Sequence, residues 1–365
     1  MPKSAVDVIG PAFEHTRKQL IETFRFGQWA RLAVLALATG EMSSGSGCNS
    51  GFKALSSLPS RFPSPSQNFV DPGDVLSGLG LGPGVIISMV IVAAVGFLIL
   101  GLVYLYVSSV SRFQLFESVL RRNCELGESW RRWQGQGLRY FGWQLALSIV
   151  GLGVAGILFI PVLLPLVPIL KSHGAPGPGF LLALLPMILV FMVFGLIMAL
   201  IGLLTKDFVI PLMAVDNLGV IEGWRRLLQI MKGQKGAYAG YVGMKIVMAI
   251  GASVVFGIAS GIVAAIVMVP FVILGVVVVL LGHGGGLSWN AVTITAAIVA
   301  GTILLAVLLY VIALVCVPVA VFFPAYAIYF FAERYPALHA QLYPPAPPAV
   351  PPPAPPFAPM PEPIG

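Results

Sequence analysis

Long apolar blocks separated by short polar stretches set the pattern of this chain. No Asp, Glu, Lys, Arg or His interrupts Phe180–Leu204, Ile246–Leu281 or Ala291–Ala332. Each block exceeds the roughly 18–20 residues a helix needs to cross about 30 Å of hydrocarbon. A helix also satisfies its own backbone polar groups, which makes it a low-cost structure in lipid. The pattern predicts crossings over about 84–108, 141–170, 180–205, 238–282 and 291–332, with a shorter candidate at 26–40. Pro270 is expected to divide the run 238–282, because proline removes a backbone donor and clashes with the preceding turn. Pro161, Pro165, Pro168, Pro318 and Pro324 predict kinks.

Composition sharpens this picture. Hydrophobic residues make up 58% of the 365 residues, charged residues only 10%, and the mean hydropathy is +0.94. The net charge of +7 does not point to nucleic acid, because the bases sort into particular connections. Arg112, Arg121, Arg122, Arg131, Arg132 and Arg139 fall in 109–140; Lys206, Arg225, Arg226, Lys232 and Lys235 fall in 206–237. Lys3, Arg17, Lys18, Arg25 and Arg31 precede the first apolar stretch. Placing all three groups in the cytoplasm requires six crossings with both termini inside, the first one short, tilted or partly re-entrant. The expected location is a bacterial inner membrane. The N-terminus lacks the form of a cleavable signal peptide. Cys48, Cys124 and Cys316 are far apart, have no metal-ligand spacing and argue against a disulfide framework.

Two connectors resemble each other. Glu128-Ser-Trp-Arg-Arg132 answers Glu222-Gly-Trp-Arg-Arg226, and each leads through a Gly/Gln-rich stretch and aromatic residues into an apolar run. Three parallel helical hairpins follow from this, over about 26–108, 141–205 and 238–332. They form one membrane domain, 1–335, with an outer Ser/Gly/Pro-rich loop at 41–83 and a proline-rich tail at 336–365. The expected fold class is an all-α polytopic bundle with amphipathic interfacial connectors. In one connector Trp224, Leu227, Leu228 and Met231 are expected to face lipid; in the other, Phe113, Phe116, Val119, Leu120, Trp130 and Trp133. Trp130, Arg131, Arg132, Trp224, Arg225, Arg226 and Lys232 are therefore the candidate headgroup residues, since Trp favours the headgroup boundary and bases favour anionic lipid. Simple anchoring is the plainer account of them and a specific headgroup or partner site the sharper one. The tail favours extended polyproline II and reads as a spacer.

Chemistry is sparse. No nucleophile triad, zinc helix or phosphate loop is legible. His15, His173, His283 and His339 lack the acids or cysteines that would complete a metal site. Gly257 and Gly261 fit the small-xxx-small spacing of close helix packing. Ion-coupled transporters and proton pumps usually place charge within the membrane, whereas Lys206, Asp207 and Lys245 are expected to snorkel to water from span edges, which argues against a pump and leaves a carrier for apolar cargo open. The outer loops offer only Glu41, Asp71 and Asp74 as acids.

Gly10-Pro-Ala-Phe-Glu-His-Thr-Arg-Lys-Gln-Leu20 and Phe24-Arg-Phe-Gly-Gln-Trp29 resemble an uncharacterised bacterial and archaeal family of multi-pass membrane proteins. Asp207-Phe-Val-Ile-Pro-Leu-Met213 and Glu222-Gly-Trp-Arg-Arg226 are similar to the membrane portion attached to some glycerophosphodiester phosphodiesterases. Their barrel and its acidic metal site have no counterpart here, so the resemblance implies a membrane module and transfers no catalytic residue. The expected function is a non-enzymatic scaffold, accessory subunit or lipid-organising module, without cofactors and with membrane lipids or other membrane subunits as partners. A transporter or channel for a small or lipidic substrate is the alternative, and a polar cavity between the helices would favour it.

Overall fold

The computed structural model describes residues 4–22, 24–41, 83–172, 178–284 and 291–343. Every regular element among them is helical. In chain order these are α1 (Ile9–Arg17), α2 (Phe26–Thr39), α3 (Pro83–Arg121), α4 (Leu126–Ser172), α5 (Pro178–Leu204), α6 (Ile210–Asp216), α7 (Val220–Met231), α8 (Lys235–Gly284), α9 (Ala291–Ala332) and α10 (Pro336–Leu342). π-helical turns extend α1 at Lys18–Glu22 and join α5 to α6 at Thr205–Val209. Most of the loop 41–83, all of the tail beyond 343, Cys48 and His173 lie outside the described residues.

Five helices are long and apolar enough to cross a membrane, and the fold is an all-α bundle suited to one. The sixth expected crossing differs. Helix α2 has only 14 residues, about 21 Å at ~1.5 Å per residue. It runs antiparallel to α3, from Gln28, which donates to the Arg122 carbonyl, to Gly40, which lies beside Tyr104. Gly40 ends it in the left-handed conformation, where a side chain is strained and where a methyl would also crowd the Tyr104 hydroxyl at 3.2 Å. Trp29 and Arg31 pin α2 further by donating to the Leu314 and Cys124 carbonyls at 2.9 and 3.1 Å.

The prolines do not break the runs. Helix α8 continues through Pro270 and α9 through Pro318 and Pro324. A single missing donor is tolerated where the rest of a long ladder persists. The connectors also differ from expectation, since α3 and α4 extend so far that only Arg122–Glu125 joins them.

The core occupies one end. Phe113, Phe116 and Val119 of α3, expected to face lipid, are buried there, as is Leu227 of α7. They pack with Phe208, Met213, Tyr238, Tyr241, Tyr326, Phe330 and Phe331. At this connector end α3 and α4 approach so closely that a methyl on Gly137 would lie 2.5 Å from Val110 Cγ2. At the far end the described side chains between Ile87 and Gly101 are exposed, as are most of those from Ile149 to Ile160 and from Leu185 to Leu200. That outward apolar surface is what lipid, not water, accommodates. Gly257 is buried beside the Ser260 hydroxyl, but a methyl on Gly261 would meet nothing within 4 Å, so Gly261 is not a close-packing point. Cys316 is disulfide-bonded, whereas the spacing of the cysteines argued against a disulfide framework. Separation along the chain does not measure distance across a bundle.

Candidate functional site

Two helices, the π turn after a third and the end of α2 bring five charged side chains together inside the connector end. Arg112 comes from α3, Lys206 and Asp207 from the π turn after α5, Lys245 from α8, and Glu41 from just past α2. Each helical member lies about nine or ten residues from the connector end of its rod, a depth of ~15 Å at ~1.5 Å per residue. The π turn matters locally. It accommodates one extra residue and carries both Lys206 and Asp207 at that depth; such bulges recur at functional positions.

The charges are paired. Lys206 bonds Glu41 and Lys245 bonds Asp207. Their side chains are 17%, 8%, 11% and 3% exposed respectively, so these are interior ion pairs and not snorkelling edge charges. That corrects the sequence expectation. Distance from a run's edge gave no sign that charges on different helices converge. Asp207 also accepts from the Tyr241 hydroxyl at 2.9 Å. Burial pushes the Glu41 carboxyl up, but the Lys206 and Arg112 charges outweigh it, leaving the group below the usual carboxylate range. Glu41 was expected in an outer loop; it reaches the cluster because α2 stops partway along α3.

Arg112 is held in place by donating from Nη1 to the Tyr140 hydroxyl at 3.0 Å and from Nη2 to the Thr39 carbonyl at 3.4 Å. Its Nε–H is buried without a partner among the described residues, and so is the indole N–H of Trp143. Both residues line a cavity of about 500 Å³ between α3, α4, α5, α8 and the π turn. Leu147, Ala199, Gly202 and Leu203 form its apolar wall; Arg112, Lys206 and Lys245 form its cationic end, with Tyr140, Gln144 and Thr205 beside them. Glu41 and Asp207 do not line it. They face a smaller void of about 30 Å³ on the other side of Arg112 and Lys206. Carboxylates stand behind the bases, and the bases face the larger space. A volume of this size falls in the range of small-molecule sites.

The residues singled out from sequence occupy other positions. Trp130 is half-buried, edge-on to Tyr106 with centroids 6.2 Å apart. Arg132 pairs with Glu117, whose carboxylate also accepts from Ser129 and from the Trp133 indole at 2.6 Å each. Arg226 pairs with Asp216 and lies over the Tyr335 ring. Trp224 is half-buried, and Arg131, Arg225 and Lys232 are exposed. No hydrogen bond or ion pair among the described residues joins the Trp130 group to the Trp224 group. Among the described residues no group of three His, Cys, Asp or Glu side chains is arranged to hold a metal. His15 is instead buried, with Nε2–H donating to the Val119 carbonyl at 2.9 Å and Nδ1 accepting from the Tyr329 hydroxyl at 3.2 Å.

No curated protein and no solved structure matches the chain. Residues 3–340 match a family described as "Family of unknown function (DUF7544)", and the chain belongs to that family.

Proposed function

We propose that this chain is a non-enzymatic, multi-pass protein of a bacterial inner membrane that organises lipids by holding an amphiphile between its helices, as a scaffold or accessory subunit. The observation that carries the reading is the 500 Å³ cavity, apolar along one wall and cationic at its end, within a bundle whose outer surface is apolar. Its polar lining is rich in donors, which suits holding a ligand in place. The basic connectors support an orientation with that end in the cytoplasm. Exposed Arg131, Arg225 and Lys232 are suited to headgroup phosphates there. Native mass spectrometry of the full chain extracted without detergent tests the reading. At least one lipid is expected to stay bound through the release of bulk lipid. A Gly202→Leu variant, which has room for a Cβ, is expected to lose it by filling the cavity. Wild-type protein that emerges free of lipid would count against the proposal.

A second reading is transport of a small or lipidic substrate. The same cavity between the helices favours it, and so do the interior pairs Lys206–Glu41 and Lys245–Asp207, because charge at depth often marks a pathway. Flux of a lipid or organic anion in proteoliposomes, abolished by Lys245→Met, would establish it over a static role.

A further inference from the structure

We infer that the cavity selects an amphiphile with a single net negative charge, a phosphodiester or carboxylate headgroup, whose oxygens accept from Arg112 Nε and Trp143 Nε1. The inference rests on the lipid-holding reading above and specifies its ligand.

Three observations converge on it. The first concerns hydrogen bonding. Arg112 and Trp143 each carry a buried N–H with no acceptor among the described residues, and both line the same cavity. Arg112 is fixed by Tyr140 and Thr39, so this donor is preorganised. Neither N–H can accept, so only an acceptor satisfies them, and an anionic oxygen does so most strongly. The second concerns charge. Arg112, Lys206 and Lys245 bring three positive charges to the cavity, and the Glu41 and Asp207 carboxylates behind them balance two. Among the described residues one positive charge remains in an environment that penalises it, and one negative charge would neutralise it. The third concerns shape. Leu147, Ala199 and Leu203 also line the cavity, and its volume far exceeds that of an inorganic phosphate. A ligand filling the space has an apolar part beside its charge.

The experiment uses the full chain in nanodiscs doped with one test lipid at a time, all with identical acyl chains. The lipids are phosphatidylglycerol, zwitterionic phosphatidylcholine and uncharged diacylglycerol. Brominated chains report occupancy by quenching tryptophan fluorescence, and native mass spectrometry counts bound lipid. Phosphatidylglycerol is expected to be retained at least about tenfold over the other two, the scale of one charge-assisted hydrogen bond. Arg112→Gln is expected to abolish the preference. Arg112 also holds Tyr140 and Thr39, so Trp143→Phe is run beside it. That variant removes one N–H, keeps the ring bulk, and is expected to lower the preference severalfold. Inorganic phosphate and glycerol phosphate, added as competitors, separate a lipid headgroup from a soluble anion. Neither is expected to displace the lipid at millimolar concentration. Retention without a charge preference would overturn the inference and leave the lipid-holding reading standing. Full displacement by inorganic phosphate would overturn the amphiphile assignment. Retention of no lipid of any kind would remove the underlying reading itself.

Discussion

His15 shows how a single side chain sets a condition on stability. Its Nε2–H donates to a carbonyl, so the neutral ring uses Nδ1 as an acceptor. Burial pushes its pKa below the ordinary 6.5; the Val119 carbonyl opposes that shift, and the nearby Arg122 and Lys18 charges add to it. In the window below 6.5 the unfolded chain takes up a proton that the folded chain refuses. The stabilisation is therefore complete above pH 6.5 and declines as pH falls below it. Thermal unfolding of the wild type is expected to shift downward across that range, and His15→Gln is expected to flatten the dependence. Asp207 makes a second residue-scale prediction. Lys245→Met leaves it buried beside Tyr241 without its cation, at a cost of about 3–5 kcal/mol. Adding Asp207→Leu to that variant is expected to recover most of the loss in denaturant unfolding. Gly137→Ala tests contact between rods. Its new methyl meets Val110 backbone at 3.0 Å as well as side chain, so an overpacking cost of about 1–3 kcal/mol is expected.

Among the elements, helices were the most legible part of the sequence and their faces the least. Runs without charge located the five long rods, because hydrocarbon length fixes how many apolar residues a crossing needs. The same runs misdirected the reading of faces. Phe113, Phe116 and Val119 line the core, yet their hydrophobicity equals that of residues meeting lipid. In water a buried face stands out against a polar one; in a membrane that contrast disappears. The π turn at Thr205–Val209 carries no residue signature, so the convergence of Lys206 and Asp207 on α2 and α8 was not readable. Glu41 was assigned to a loop because α2 was expected to cross. The chemistry of the candidate site, bases and aromatic N–H donors, was present in the residue list; its assembly depended on contacts between residues as distant as Glu41 and Lys206. Helix α2 itself is pinned by side chains donating to carbonyls of other helices. Trp29→Phe removes one such bond and is expected to cost about 1 kcal/mol in unfolding free energy.

At the level of the whole molecule, the basic connectors and the interior cluster share one end. If the arginine-rich segments share the cytoplasm, single cysteines at exposed Arg131 and Arg225 are expected to react with an impermeant maleimide only after the inner face is opened. Labelling of the two from opposite faces would dismantle the proposed orientation.

The concentration of packing at that end has a mechanical corollary. Among the described residues most side chains along the outer lengths of α3, α4 and α5 are exposed, so their neighbours are supplied by whatever surrounds the molecule. Such a body is stiff at its root and more compliant along those exposed lengths. A thinner bilayer would be met by leaning of the shafts, leaving the charged cluster at the root undisturbed.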